Sequence, residues 1–320
     1  MQINKGVFLD LGSVDDGDLQ LNALDRTLPE WRFFDATPAA EIAERAADAH
    51  LIITNKTELG GALIRSLKAL RMIAVAATGT NCIDLEAARE RSVVVCNVRD
   101  YCSDSVAQHV LGLILNLATG QPFYAQRVRE GDWSRAAHFS LHDRPIRELH
   151  SLTLGIIGYG SLGRAVAALA RAMGMNVLLG EVRGRKPRPD RLAFRELMTN
   201  ADVVSLHCPL TAETGGMIDR RVLRGMKPGA ILINTARGGI VVEQDLADAL
   251  RAGELAGAGV DVLSVEPPPP DHPLLADDVP NLIVTPHNAW ASQAARQACI
   301  DQLTGVINAF LRGQPVNRVV

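Results

Sequence analysis

The feature that most constrains this chain is the run Gly158-Tyr159-Gly160-Ser161-Leu162-Gly163 together with its flanks. The apolar stretch Leu154-Gly155-Ile156-Ile157 leads in, and a segment of helical spacing from Arg164 to Met173 leads out. Strand, glycine turn and helix meet at one point, and there each glycine has a physical task. Gly158 permits the tight turn, Gly160 lets a pyrophosphate reach the backbone, and Gly163 lets helix pack on strand. The N–H groups of the first helical turn then face the anion. Glu181 ends the next apolar run, Val177-Leu178-Leu179, where an acidic side chain can accept hydrogen bonds from ribose hydroxyls.

A chain of 320 residues fits two domains, each able to bury its own core. The formal charge of −3 and 47% hydrophobic content describe a soluble globular protein without the basic excess that would draw it to nucleic acid or an anionic membrane. Cys82, Cys96, Cys102, Cys208 and Cys299 are odd in number, widely spaced and set in apolar stretches. Neither disulfide nor metal-ligand spacing is evident, so reduced core thiols and no metal site are expected. The residues after Met1 carry no long apolar run, so neither signal peptide nor membrane span is expected and the location is read as cytoplasmic.

The predicted fold class is α/β: two parallel-sheet Rossmann-like domains with an interdomain cleft. Short apolar runs at 7–9, 51–53, 72–75 and 93–95 predict strands, with helices over 38–49 and 60–70. Residues 103–118 predict a long, almost wholly apolar helix, of the kind buried at an interdomain or subunit contact. The stretch 120–150 has mixed character and is read as an arm reaching across that contact. From Leu152 a second series begins, with strands near 154–157, 176–180, 202–206, 230–233, 257–262 and 281–285, matching a dinucleotide-binding sheet. An amphipathic helix over 289–311 is expected to return and cover the N-terminal domain. Residues 1–100 and 290–320 are thus read as a substrate-binding (catalytic) domain and 101–289 as the Rossmann domain.

Three polar residues follow predicted strands of the second series, where ligands bind in such sheets. Arg237 stands beside Gly238 and Gly239, and its planar fork can hold a carboxylate through two parallel hydrogen bonds. His287 follows Pro286 and is of the residue type best suited to exchange a proton near neutral pH. Glu266 precedes a proline run and could orient an imidazole. Taken singly, each also has an ordinary explanation: a turn arginine, a satisfied buried histidine, a solvated loop carboxylate.

The joint pattern changes that balance. Leu206-His-Cys-Pro-Leu-Thr, Met226-Lys-Pro-Gly-Ala-Ile-Leu-Ile-Asn-Thr-Ala-Arg-Gly-Gly, Gly259-Val-Asp-Val-Leu-Ser-Val-Glu-Pro-Pro and Thr285-Pro-His-Asn-Ala-Trp follow the glycine run in this order. Together they resemble the D-isomer-specific 2-hydroxyacid dehydrogenase family over essentially the whole chain. The resemblance implies an NAD(H)-linked enzyme with Arg237 on the substrate carboxylate, Glu266 orienting the imidazole and His287 donating the proton. It places Gly158, Gly160, Ser161, Leu162, Gly163, Glu181, Cys208, Pro209, Thr235, Ala236, Asp261, His287 and Ala289 on the cofactor, with Thr235, Ala236 and Asp261 on the nicotinamide side. Ala77, Thr78 and Gly79, in the first-domain run Ala76 to Asn81, would offer backbone N–H groups to the substrate carboxylate.

Ala76 to Leu85, Asp100 to Gln108 and Thr285 to Trp290 are most similar to the glycerate dehydrogenase (hydroxypyruvate reductase) branch. The implied substrates are small 2-oxo and 2-hydroxy acids, and a homodimer is expected. Glu181 stands where aspartate is commoner in the family, and Arg183, Arg185 and Lys186 leave NADP(H) use open beside a preference for NAD(H). The chain ends soon after its closing helix, so the regulatory extension of many phosphoglycerate dehydrogenases is not expected. D-lactate, phosphoglycerate and formate dehydrogenases are rival readings. So is a dinucleotide-sensing corepressor-like scaffold, since the C-terminal-binding-protein type keeps the same trio.

Overall fold

A computed structural model describes residues 3–320. They fall into two compact units, one within Met1–Cys102 and Ala291–Val320, the other Ser103–Trp290.

In the first unit β1 (Lys5–Phe8), β2 (Glu30–Phe33), β3 (Leu51–Thr54), β4 (Met72–Val75) and β5 (Val94–Asn97) form a parallel sheet in the order β2-β1-β3-β4-β5. β3 and β4 are buried throughout, as expected of inner strands covered on both faces. β2 was not predicted: Glu30-Trp31-Arg32-Phe33 alternates instead of forming an apolar run, because it lies half-exposed at the sheet edge. Gly6 makes room for the Trp31 ring, from which a Cβ would stand 2.5 Å away.

The helices α1 (Asn22–Asp25), α2 (Ile42–Ala46), α3 (Gly61–Ser66) and α4 (Leu85–Glu90) are short. The longer helices predicted over 38–49 and 60–70 shrink because their ends are spent on re-entering the sheet. His50 N donates to Lys5 O at 2.9 Å, and Arg71 N donates to His50 O at 2.8 Å. The last helix, Gln293–Leu311, rejoins this unit and packs on α1, β4 and β5. Ser292 caps it, and Arg296 within it pairs through both guanidinium nitrogens with Asp18 at 2.7 and 2.8 Å.

The second unit opens with α5 (Ser103–Thr119) and α6 (Gln121–Arg129), separated by the left-handed Gly120 (φ 66°). Six parallel strands follow: β6 (Thr153–Ile157), β7 (Asn176–Gly180), β8 (Val203–Leu206), β9 (Ile231–Asn234), β10 (Gly257–Val260) and β11 (Leu282–Val284). They are joined through α7 (Ser161–Ala172), α8 (Phe194–Asn200), α9 (Arg220–Arg224) and α10 (Glu243–Arg251), so that Gln293–Leu311 is α11. The order is β7-β6-β8-β9-β10-β11, which puts the reversal of strand order between β6 and β8. In open sheets of this kind the crevice at that point, beyond the carboxyl ends, receives the ligand.

Within this unit α5 packs its buried residues against α7, β9 and β10. Glycines of β10 make the room: a Cβ on Gly257 or Gly259 would stand 2.9 or 3.0 Å from the side chain of Leu117 or Leu113. Among the described residues no helix is long and apolar enough to cross a membrane, and no cluster of His, Cys, Asp or Glu could hold a metal ion. All five cysteines are free, and burial pushes the Cys96, Cys102 and Cys208 thiols up to about 11.

Candidate active site

The glycine turn sits at the switch point. Gly158 has φ 94°, and a Cβ on it would lie 2.4 Å from the carbonyl carbon of His207, the residue after β8. A Cβ on Gly163 would strike the carbonyl oxygen of Gly158 at 2.2 Å, so any side chain there would push α7 off β6. Gly160, by contrast, faces open space, with nothing within 4 Å of where its Cβ would be. Ser161, Leu162 and Gly163 form the first turn of α7, whose N–H groups have no intrahelical acceptor.

Next to this turn lies a cavity of about 320 Å³ lined by Gly160, Glu181, Arg188, Arg191, His207 and Pro209, among others that include Cys208. Glu181, only 3% exposed, accepts from Arg188 through both oxygens, Nε–Oε1 at 2.5 Å and Nη2–Oε2 at 3.2 Å. Arg191 Nε stands 3.7 Å away. The Arg188 hydrogen bond holds the Glu181 carboxyl below the usual carboxylate range despite its burial. Arg183 pairs with Asp219 at 2.7 Å and Arg185 with Glu213 at 2.6 Å. Arg188, rather than Arg183, Arg185 or Lys186, is hydrogen-bonded to Glu181; the loop after β7 doubles back to bring it there. Three buried polar atoms nearby lack a hydrogen-bond partner in the protein: Arg191 Nε, His207 Nδ1 and Thr235 Oγ1. Burial pushes the His207 imidazole down to about 4, so it stands neutral.

Beyond the carboxyl ends of β9, β10 and β11 three loops are lashed together. His287 Nδ1 lies 2.6 Å from Glu266 Oε2, and Leu263 N donates to Glu266 Oε1 at 2.8 Å. A carboxylate only accepts, so Nδ1 carries the hydrogen of this pair and Nε2 is left to exchange a proton. The loop of Arg237 is bound to that of Glu266 by close packing: a Cβ on Gly238 would stand 1.9 Å from the Leu263 carbonyl carbon. Asn234 Nδ2 donates to the Arg237 carbonyl at 2.9 Å, and Asn234 Oδ1 accepts from Ala236 N at 3.1 Å, which fixes the turn from β9. Glu243 holds the Glu266 loop from the other side, accepting from Ser264 N and Oγ, both at 2.6 Å.

The carboxylate of Asp261 is buried beneath His287. Its backbone carbonyl accepts from His287 N at 2.8 Å, and its side chain accepts from Asn288 N and Ala289 N, each at 3.0 Å. In the first unit Ala77 is buried, Thr78 is exposed and Gly79 half-buried. The Thr78 carbonyl accepts from Asn97 Nδ2 at 2.7 Å, which anchors that loop to β5.

A glycine turn that receives a dinucleotide, beside an imidazole oriented by a carboxylate, can pair hydride movement with proton transfer; this is the equipment of a dinucleotide-dependent oxidoreductase. Residues 111–289 match the NAD binding domain of the D-isomer specific 2-hydroxyacid dehydrogenases. A glycerate dehydrogenase of Methylorubrum extorquens is 42% identical over 316 residues, 98% of each chain. The TT0316 protein of Thermus thermophilus superposes with a TM-score of 0.85 at 36% identity, covering 99% of this chain and 100% of that one. An NADPH-dependent glyoxylate/hydroxypyruvate reductase of Sinorhizobium meliloti, solved with NADP and malonate, superposes at 0.81 with 27% identity, covering 100% and 97%. The chain belongs to the D-isomer-specific 2-hydroxyacid dehydrogenase family and is an oxidoreductase acting on the CH–OH group of 2-hydroxy acids. The residues present fit its nicotinamide dinucleotide: an unfilled cradle at Gly160, first-turn N–H groups of α7 and three orphaned buried polar atoms in the same region.

Proposed function

We propose that the protein reduces hydroxypyruvate and glyoxylate to D-glycerate and glycolate with NAD(H), and that Arg237, Glu266 and His287 carry the reaction. The observation that supports this most directly is the 2.6 Å contact between His287 Nδ1 and Glu266 Oε2. The bound dinucleotide supplies the hydride. His287 delivers a proton from Nε2 to the substrate 2-oxo oxygen, so negative charge does not build up there. Glu266 fixes the ring's orientation and tautomer through Nδ1. Arg237 grips the substrate carboxylate with its fork.

Gly158, Gly160, Ser161, Leu162 and Gly163 take the pyrophosphate, Glu181, Cys208 and Pro209 the adenosine end, and Thr235, Ala236, Asp261, His287 and Ala289 the nicotinamide side. The reading favours NAD(H) because Glu181 is acidic and its neighbours Arg183, Arg185 and Arg188 are each engaged by a carboxylate. NADP(H) would need Arg188 or Arg191, both in the same cavity, to turn to the extra phosphate. Small acids are favoured because Ala76 to Asn81 carries no lysine or arginine, whereas a phosphorylated acid would bring about two more charges that need such partners.

The reading extends to a homodimer in the cytoplasm. Trp133, Phe139 and Ile146 of the second unit are 52, 91 and 60% exposed, an apolar surface that a second copy would cover. The buried free thiols suit a reducing compartment. The test is a comparison of kcat/KM for glyoxylate, hydroxypyruvate and 3-phosphohydroxypyruvate with NADH and NADPH, with product chirality assigned and the mass in solution measured. Preference for the phosphorylated acid, or L-glycerate as product, overturns the substrate reading.

A further inference from the structure

The loop that presents His287 is held from behind by α5, an element with no part in the glycine turn or in the three catalytic loops. His109 Nε2 lies 3.0 Å from Thr285 Oγ1 and 3.7 Å from Asp261 Oδ1, and Thr285 Oγ1 lies 2.6 Å from the same Oδ1. The direction of these bonds follows from the groups themselves. A carboxylate only accepts and a hydroxyl has one hydrogen, so Thr285 donates to Asp261 and must accept from His109. Nε2 of His109 therefore carries hydrogen. One helical turn earlier on α5, Ser105 Oγ donates to the Ala289 carbonyl at 2.7 Å. Two side chains of one helix face thus grip both ends of the segment from Thr285 to Ala289.

That segment needs holding. His287 has φ 52°, in the left-handed region that a residue with a Cβ adopts at a cost. The bonds that oppose this cost converge on Asp261, whose carboxylate takes the N–H groups of Asn288 and Ala289 while its carbonyl takes that of His287. The Asp261 side chain is 1% exposed, so its rotamer is set by what donates to it, and the His109–Thr285 pair is the donor from the α5 side.

We propose that His109 is a positioning residue: through the Thr285 hydroxyl it fixes the Asp261 carboxylate, and with it the backbone conformation in which His287 meets Glu266 and the substrate. This rests on the reading of His287 as proton donor. The contacts of His109 are with Thr285 and Asp261, so its action is through the loop.

The test uses the full-length protein with four variants. His109→Phe keeps ring bulk without a donor, and Thr285→Val keeps shape without a hydroxyl; His109→Gln and Thr285→Ser restore the donor and the hydroxyl. Without cofactor, amide hydrogen exchange of Asn288 and Ala289 is expected to speed up in His109→Phe and Thr285→Val and to recover in His109→Gln and Thr285→Ser. In turnover, the first two should lose about tenfold to a hundredfold in kcat, the range of a small misplacement of a reacting group. The double variant should be no worse than the worse single one. If His109→Phe does not fold, Thr285→Val against Thr285→Ser carries the same comparison. Unchanged exchange at Asn288 and Ala289, or equal losses in the rescuing variants, overturns the proposal. Turnover surviving in His287→Asn would instead overturn the proton-donor reading, while the exchange data would still report on the His109 contact.

Discussion

Gly238 lies so close to Leu263 that a Cβ on the glycine would stand 1.9 Å from the leucine's carbonyl carbon and 2.2 Å from the next amide nitrogen. The neighbour is backbone and cannot rotate away. Gly238→Ala is therefore expected to separate the Arg237 and Glu266 loops. The cost should be about 1–3 kcal/mol of stability, the usual penalty of overpacking. A fall in kcat of about a hundredfold is expected, as for a misplaced catalytic group. Thermal melts and steady-state kinetics check both; wild-type values would mean that the two loops are positioned independently.

His287→Asn keeps an amide near the imidazole position but supplies no proton at neutral pH. The expected loss in kcat is about 10²–10⁴-fold, the contribution of one general acid. NADH affinity, measured by fluorescence titration, should stay nearly unchanged. Weak NADH binding with normal turnover at saturation would move His287 out of the chemistry.

The pair formed by buried Glu181 and exposed Arg188 predicts how cofactor choice responds to change. Glu181→Ala releases Arg188, and the ratio of kcat/KM for NADPH over NADH should rise about tenfold or more, the value of a charge-assisted hydrogen bond gained. Arg188→Ala should lower use of NADPH. A ratio indifferent to both substitutions would place recognition of the ribose elsewhere.

Asp202, also buried, gives a pH dependence. Burial alone would raise its carboxyl, yet Lys227 at 2.7 Å, the Thr153 N–H at 2.9 Å and Arg147 at 3.3 Å together hold it below the usual carboxylate range. A carboxyl depressed in the folded state stabilises the fold above its unfolded pKa, about 3.9, and loses this as pH falls through the folded value. Asp202→Asn should cost about 1–3 kcal/mol at pH 7. Urea melts across pH should show the gap to wild type closing in acid below about pH 4. A constant gap down to pH 3 would show that the charge is not what stabilises.

What the residues disclosed, and what they withheld, divides along the distance an interaction spans. The turn from Gly158 to Gly163 was legible because strand, turn and helix are contiguous, and the inner strands were legible because burial on both faces makes them apolar throughout. β2 was not legible, since an edge strand of four half-exposed residues leaves no such run. The segment 120–150 hid α6, whose residues Gln121–Arg129 include none that is buried and so carry no periodic stripe. At the site, residue types in strand-end positions flagged Arg237, Glu266 and His287. The partners that orient them were invisible: Arg188 meets Glu181 only because the loop after β7 folds back, and His109 meets Thr285 across 176 residues. Gly238 stood in the sequence only as a neighbour of Arg237, with nothing to mark its backbone contact with Leu263.

The first unit takes α11 from the far end of the chain, and its β5 is bonded to the last residues, Val95 N donating to Val320 O at 3.1 Å. The second unit, Ser103–Trp290, is continuous. Domains close as units while a chain leaves the ribosome, ordinarily from the amino end, but here that order is inverted. Cys299, Ile300, Leu303 and Ile307, all fully buried, belong to a helix made after the second unit. The part synthesised first must wait, its apolar sheet uncovered, while the dinucleotide-binding half is completed ahead of it. A nascent chain halted at Trp290 should accordingly resist protease over 103–290 and be cut within 1–102.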